Sequence, residues 1–412
     1  MRLLHFSDVH IGVENYGRPD AATGLSTRLL DFLRTFDEVV EHALENRVDL
    51  VVFCGDAYKS RDPNQTHQRE FAKRIARLAA AGVPVFLVVG NHDMPHIVNR
   101  ATSLEIFRTL DVPGIYTGDT FATHVVKTAS GPLQVISLPW IRRGAFLSRE
   151  DTQGLSPEEV NKAIEESLTN AVRLKAEALD PSIPAIFAGH VSVSEATTGS
   201  EQSMMLGRDH VLLKSAVALP MLDYVALGHI HRHQVLNTDP MVVYSGSLQR
   251  VDFGEEKDPK GFCVVDIDPS RPSGRRLADF RFQEVDARRF LTIAVDIPAG
   301  ASDPMELVLK AIRKQDVSGT VVRVLIKTPA ELEGHIKEPE IRAALSGAHY
   351  IAAISKESKE QARTRLGAAN QKAIDPHDAL DLYLKSRNIA EDRRKALMQH
   401  AERLMGDTAP EG

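Results

Sequence analysis

The chain has 412 residues, 43% of them hydrophobic and 26% charged, with a formal net charge of −6 and two cysteines. That is ordinary globular composition, and at roughly 150 residues per domain it predicts two or three domains, with cores that need no disulfides. The acidic balance excludes a wholly basic nucleic-acid binder, though bound cations and local basic loops can still meet a phosphate backbone. No apolar stretch is long enough to span a bilayer, so no membrane partner is expected.

Apolar runs of strand length recur at 2–6, 49–54, 84–89, 134–138, 184–188, 223–227, 241–244 and 261–267. The first starts at once, with no signal-type apolar region ahead of it, which predicts a cytoplasmic protein. Leu29, Leu30, Leu33, Phe36, Val39, Val40 and Ala43 recur at helical spacing, as do Phe71, Ile75, Leu78 and Ala79. Strand–helix alternation in the first half predicts an α/β layered core, and successive strands with short links in the second half predict another sheet stacked on it. Cys54 and Cys263 lie inside apolar runs and are expected to be buried thiols without a redox or metal role. A polar turn at 268–276 leads into a strand at 278–285. The pattern then restarts with strands at 290–297, 320–327 and 350–355 and helices at 304–314 and 339–345, a small α+β unit. Polar residues dominate from 356 to Pro376; beyond it Leu380, Leu382, Tyr383 and Leu384, then Ile389, Ala396, Leu397, Ala401 and Leu404, predict two helices joined by a short turn. The predicted domains are therefore 1–285, 286–355 and a helical tail, 356–412.

Five short stretches carry the chemistry: Asp8-Val9-His10, Gly55-Asp56, Gly90-Asn91-His92-Asp93, Gly189-His190 and Gly228-His229-Ile230-His231. Most follow a strand-like run, where α/β folds place binding sites. Asp8 and His10 are two apart, so on a continuing strand they share a face. Gly55 allows a tight turn before Asp56, whose carboxylate can bridge two cations. Asn91 offers a neutral carbonyl oxygen, and His190, His229 and His231 offer imidazoles. This mixed nitrogen and oxygen set suits Mn²⁺, iron or Zn²⁺ better than Ca²⁺, and its lack of cysteine argues against a structural zinc site. Two neighbouring divalent ions point to phosphoester hydrolysis.

In this order the stretches resemble the calcineurin-like metallophosphoesterase superfamily, with its D-x-H, G-D, G-N-H-[DE], G-H and G-H-x-H series. Within it the chain is similar to SbcD-type nuclease subunits of DNA double-strand-break repair. That narrower resemblance rests on Leu4-His5-Phe6-Ser7-Asp8-Val9-His10-Ile11-Gly12, on Tyr224-Val225-Ala226-Leu227-Gly228-His229-Ile230-His231, and on Tyr244-Ser245-Gly246-Ser247-Leu248-Gln249-Arg250-Val251-Asp252-Phe253-Gly254-Glu255. It covers residues 1 to about 270; beyond, only the layout fits, as a capping domain followed by ATPase-docking helices.

The resemblance implies a two-sheet α/β/β/α sandwich. It also implies one metal held by Asp8, His10, Asp56 and His231, a second held by Asp56, Asn91, His190 and His229, and His92 as a catalytic histidine off both metals. It further implies Mn²⁺-dependent 3′→5′ exonuclease and endonuclease activity on DNA, and a complex with an SbcC-type ATPase. Leu380, Tyr383, Leu384 and Leu397 are candidates for the ATPase-docking face, and helices near 64–81 and 96–110 for a homodimer. Asp93 is expected to orient a histidine or cap a turn. Where many relatives have an aliphatic residue and then Phe after Gly-Asp, this chain has Ala57-Tyr58-Lys59-Ser60-Arg61. Lys59, Arg61 and Arg250, with Arg69, Arg100, Arg142, Arg143 and Arg232, form a candidate DNA track. His5 and Trp140 are expected to pack, and His233 to be exposed. The alternatives are a phosphodiesterase or phosphatase for small molecules, with the later domain as a lid, and a non-catalytic DNA-end scaffold, against which the intact ligand set argues.

Overall fold

A computed structural model describes residues 1–95, 97, 100–141, 154, 156–199, 211–358, 380–381, 384–385 and 391–406. Its first part contains strands β1 (Arg2–Phe6), β2 (Leu50–Phe53), β3 (Val85–Val88), β4 (Ile115–Gly118), β5 (Ala122–Thr128), β6 (Gly131–Leu138) and β7 (Ala185–His190). After these come the two-residue β8 (Ser192–Val193) and β9 (Val211–Leu212), then β10 (Tyr224–Gly228), β11 (Gln234–Thr238), β12 (Met241–Tyr244), β13 (Gly261–Ile267) and β14 (Leu277–Glu284). Helices α1 (Thr27–Glu45), α2 (Gln65–Ala80), α3 (Glu105–Thr109), α4 (Pro157–Glu177) and α5 (Lys214–Val217) are interspersed.

The strands form two six-stranded sheets, in the orders β14-β13-β1-β2-β3-β4 and β11-β12-β10-β7-β6-β5. In each, four neighbouring strands are parallel, β1 to β4 in the first and β12, β10, β7 and β6 in the second, with antiparallel strands outside them. Alternation along a strand sends successive side chains to opposite faces. Leu4 and Phe6 thus meet Leu33, Phe36 and Phe71 under α1 and α2, whereas Leu3 turns to the inner face with Val52, Phe86, Ile186, Ala188 and Ala226. The second sheet's outer face buries Phe187, Val225 and Leu227 against Ile164, Leu168 and Val172 of α4. Each such side chain contributes roughly 1.5–3 kcal/mol. The result is the expected α/β/β/α sandwich. His5 also lies on the inner face, with Nδ1 2.9 Å from the Tyr224 hydroxyl and Nε2 3.2 Å from the Leu227 carbonyl. Burial lowers its pKa to about 3, so it stays neutral. Cys54 and Cys263 are buried free thiols, as expected.

Helix α4 lies in a stretch where the sequence reading placed no helix. Its signature is a capping box, Ser156 and Glu159, with Pro157 in the first turn. The edge strands β5 and β11 were also unread, because many of their residues are only partly buried and give no apolar run.

The third sheet is β15 (Phe290–Asp296), β16 (Val321–Thr328) and β17 (Tyr350–Ser358), in that order. Helices α6 (Pro304–Arg313) and α7 (Glu338–Ala344) connect them, and all three strands are parallel, so the unit expected as α+β is built of two β-α-β crossovers. A buried ionic joint ties it to α1: Asp31 accepts from Arg28 Nη1 at 2.9 Å and from the Arg288 guanidinium. Arg28 also lies 5.4 Å from the centre of the Phe290 ring. In the tail, α8 (Glu391–Gly406) matches the second expected helix. Leu382, Tyr383 and Ile389, with most of 356–390, lie outside the described residues. Leu384 is buried and Leu397 is 39% exposed. Among the described residues no helix is long and apolar enough to cross a membrane.

Candidate metal centre

The parallel strands of both sheets end at one rim, and the five stretches meet there. β1 stops at Phe6, so Asp8 and His10 lie beyond it, which corrects the strand-face reading. Both have left-handed backbones (φ 52° and 48°), and these kinks, not strand alternation, aim their side chains. The loop runs beside the one after β2: Asp8 N–H donates to the Gly55 carbonyl at 2.9 Å and His10 N–H to the Asp56 carbonyl at 3.1 Å. Asp56 (φ 63°) and His229 (φ 100°) are left-handed too. Gly90 supplies close approach, since a Cβ there would fall 2.2 Å from Asp56 Oδ1.

The first sheet brings Asp8, His10, Asp56, Asn91 and His92; the second brings His190, His229 and His231. His10 Nε2 and His231 Nε2 are 2.9 Å apart. His10 Nε2 also lies 3.9 Å from Asp8 Oδ1 and 3.8 Å from Asp56 Oδ2. His190 Nε2 is 3.5 Å from Asp56 Oδ2 and 2.9 Å from Asn91 Oδ1, and His229 Nδ1 is 3.2 Å from the same amide oxygen. Asp8 with His10 and His231, and Asp56 with Asp8 and His190, form two groups whose donor atoms lie within 4.8 Å of one another. A third group joins His92 to His10 and Asp56.

This donor set fits two divalent cations. Imidazole nitrogens, carboxylates and an amide oxygen converge there, with His10 Nε2 and His231 Nε2 facing each other. The potential is negative: burial opposes a charged His190, yet Asp56 and Asp8 raise its pKa to about 9. Burial favours a neutral Asp56, but His190, His92 and His10 together hold it well below the usual carboxylate range. Burial, and then His231, keep His10 well below the ordinary histidine value. Hydrogen bonds fix the ring orientations. His190 Nδ1 donates to the Cys54 carbonyl at 2.7 Å, leaving Nε2 to face the centre.

His92 sits at the rim. Its Nδ1 donates to the Lys59 carbonyl at 2.6 Å, its backbone N–H donates to Asp56 Oδ1 at 2.8 Å, and its ring is 5.1 Å from that of His10. Asp93 is buried and accepts from the N–H groups of Asp56, Ala57 and Gly90 at 2.8–3.0 Å. Of its two expected roles it takes the turn-capping one, and burial together with the Asp56 charge raises it to about 6.

Lys59 is exposed beside His92 and Arg61 is half-buried nearby in sequence. Arg250 corrects its expectation: its guanidinium donates to the carbonyls of Glu256, Ala287, Arg288 and Asp258, so it braces the joint to the third sheet instead of facing a ligand. Arg232 pairs with Asp258 and Arg69 with Glu70; Arg142 and Arg143 lie outside the described residues. Tyr58 is buried against Phe71, so this departure from the relatives' pattern is a core feature. His233, expected exposed, is half-buried and stacks on Phe282 at 3.9 Å. Two neighbours of the centre were missed. The Trp140 ring lies 4.9 Å from that of His229, and Glu255 lies 2.7 Å from His231. The first follows β6 at the same rim, which the strand pattern could have indicated. The second lies in a stretch that was singled out without a role.

The fold and site define a metal-binding phosphoesterase class. The family model for calcineurin-like phosphoesterases matches residues 1–233, and the chain belongs to that family. Among curated proteins it is similar to the DNA double-strand break repair protein Mre11 of Thermoplasma acidophilum, 28% identical over 64% of this chain and 61% of that one. It is also similar to the SbcD component of the nuclease SbcCD of Bacillus subtilis, 27% identical over 65% of this chain and 67% of that one. The SbcD protein of Rhodobacter capsulatus is 29% identical over 65% of this chain and 66% of its own length. The matches thus span about two thirds or less of those proteins' length.

Proposed function

We propose that this chain is a metal-dependent DNA nuclease of double-strand-break or DNA-end processing, acting as a 3′→5′ double-strand exonuclease and a single-strand endonuclease. The observation that carries the reading is the convergence of seven donors from two sheets at one rim, in a chain similar to proteins named for DNA double-strand break repair and as a nuclease subunit. In this reading Asp8, His10, Asp56 and His231 hold one Mn²⁺, and Asp56, Asn91, His190 and His229 the other. When bound, such a pair supplies a hydroxide nucleophile at neutral pH and neutralises charge on the phosphoryl oxygens. The chain's own groups do the rest. Asp56 serves both positions, held by the backbone N–H of His92. His92, whose Nδ1–H is anchored on the Lys59 carbonyl, would serve in its imidazolium form, giving the Nε2 proton to the leaving oxygen and keeping the one on Nδ1. Lys59, with Arg61, draws in the phosphate backbone, and Trp140 shields the His229 side from water.

Residues 1–285 are then the nuclease domain, 286–355 a cap and 356–412 the segment that docks an SbcC-type ATPase; the family layout and the names of the relatives support this. Exposed Ile97, Ile106 and Leu110 suit a homodimer contact. The test is Mn²⁺-dependent hydrolysis of linear duplex DNA measured beside a small phosphodiester. Degradation of duplex DNA from its ends is expected. Hydrolysis of the small ester with intact DNA would sink the nuclease reading and leave a small-molecule phosphodiesterase.

A further inference from the structure

We propose that Glu255 is a positioning residue for the metal centre, fixing the tautomer and ring plane of His231 while Lys260 holds its charge; this rests on the reading of the centre given above. Glu255 and Lys260 have fully buried side chains. Glu255 Oε1 lies 2.7 Å from His231 Nδ1, and the opposite ring atom, Nε2, faces His10 Nε2 in the centre. A carboxylate has no proton to donate, so Nδ1 carries the hydrogen and the Nε2 lone pair is left for a cation. A carboxylate behind a ligating imidazole also raises its basicity.

The support around Glu255 is complete. Oε2 lies 2.7 Å from Lys260 Nζ and 3.2 Å from the Val251 N–H. Lys260 Nζ also reaches the His231 carbonyl at 3.1 Å and Ser247 Oγ at 2.8 Å. The ammonium therefore grips both the carboxylate and the backbone of the histidine it serves. A buried ion pair adds little stability over apolar side chains of the same size. A pair aimed at a ligand has a use such a replacement lacks. The backbone provides for it: Asp252 caps a one-turn 3₁₀ helix, Phe253–Glu255, that turns Glu255 under His231. The next residue, Glu256, points the other way and accepts from Thr292 N–H at 2.8 Å on β15. The turn is thus pinned at both ends. This gives a role to the stretch 244–255 that the hydrolysis itself does not use.

The test uses the full chain. In the wild type, calorimetric titration with Mn²⁺ is expected to give two bound ions. In Glu255→Gln one of the two affinities should fall by about 10- to 100-fold and the other hold, with a smaller Mn²⁺-induced rise in Tm. Because Gln would leave a bare ammonium, Glu255→Gln with Lys260→Met removes both charges and should show the same selective loss. A merely structural role would lower the metal-free Tm and leave both affinities alone, which would overturn the proposal. Long-range ¹H–¹⁵N spectra of the Zn²⁺-loaded wild type decide the matter even if both variants unfold. His231 protonated at Nδ1 is expected, and protonation at Nε2 would refute it. A wild-type chain that binds no divalent ion would sink the metal-centre reading itself, whereas two ions with unchanged affinities in a folded variant would sink only the role of Glu255.

Discussion

Replacing Asp31 by Ala tests whether α1 and the third sheet are joined by charge. Asp31 is 3% exposed and is the carboxylate for two guanidiniums, those of Arg28 and Arg288. The Arg28 side chain is fully buried, and its Nε has no hydrogen-bond partner among the described residues. Without Asp31 it keeps the Arg250 carbonyl, 2.6 Å from Nη2, and the faces of Phe32 and Phe290 at 5.1 and 5.4 Å. Those contacts solvate a cation poorly, and removing one partner of a buried pair costs about 3–5 kcal/mol. Arg288 adds less, because its side chain is 19% exposed and water replaces part of the lost contact. The control is Glu177→Ala, which breaks the Arg173–Glu177 pair on α4, about half exposed on both sides; that costs about 0.3–0.5 kcal/mol. Urea unfolding followed by fluorescence of the single Trp140 and by far-UV circular dichroism measures both variants. A loss in Asp31→Ala no larger than that of the control would refute the reasoning.

His92→Gln should lower hydrolysis by about 10²- to 10⁴-fold and leave Mn²⁺ uptake at the wild-type level; lost uptake would instead place His92 among the ligands. The second expectation concerns acid. His5 is lowered by burial from 6.5 to about 3, so below pH 6.5 the unfolded chain takes up a proton that the folded chain refuses. Stability from this residue is therefore complete above that pH and falls by about 1.4 kcal/mol per unit as pH drops towards the folded value. Unfolding curves across this window should have a shallower pH dependence in His5→Gln, and an unchanged slope would mean that His5 is not a buried neutral group.

The strands that carry ligands were legible because each is a short, largely apolar run with a Gly or a ligand within two residues of its end, and every one of the seven donors and His92 reaches the rim. What the pattern could not carry is direction. Period-two reasoning placed Asp8 and His10 on a strand face, whereas both lie past the strand in left-handed conformations, a backbone state in which Asp and His are enriched but which residue type alone does not specify. Arg250 was misread for a related reason: charge does not show where a side chain points, and four backbone carbonyls take this guanidinium. Helix α4 went unread although Ser156 and Glu159 announce its start and Val160, Ile164, Leu168, Val172 and Ala176 recur at every fourth position along the face that meets the second sheet's core.

The division of donors between the sheets explains why the rim is so heavily cross-linked. The first sheet contributes both carboxylates of the centre and the amide, and the second contributes three imidazoles, so neither sheet alone holds a complete set. A slide of one sheet over the other would separate the donors of the candidate centre. Bonds across the seam oppose it: His229 N–H to Asp8 at 3.1 Å, His190 to the Cys54 carbonyl at 2.7 Å, and Ser7 to Ser245 at 2.8 Å. Gly228 lets the sheets close, since a Cβ there would lie 2.0 Å from the Cys54 carbonyl oxygen. The left-handed backbones at Asp8, His10, Asp56 and His229 each cost on the order of 1–3 kcal/mol. They persist because these bonds over-determine the seam, so the strain and the cross-links are two aspects of one arrangement that presents donors from both sheets to the same small volume.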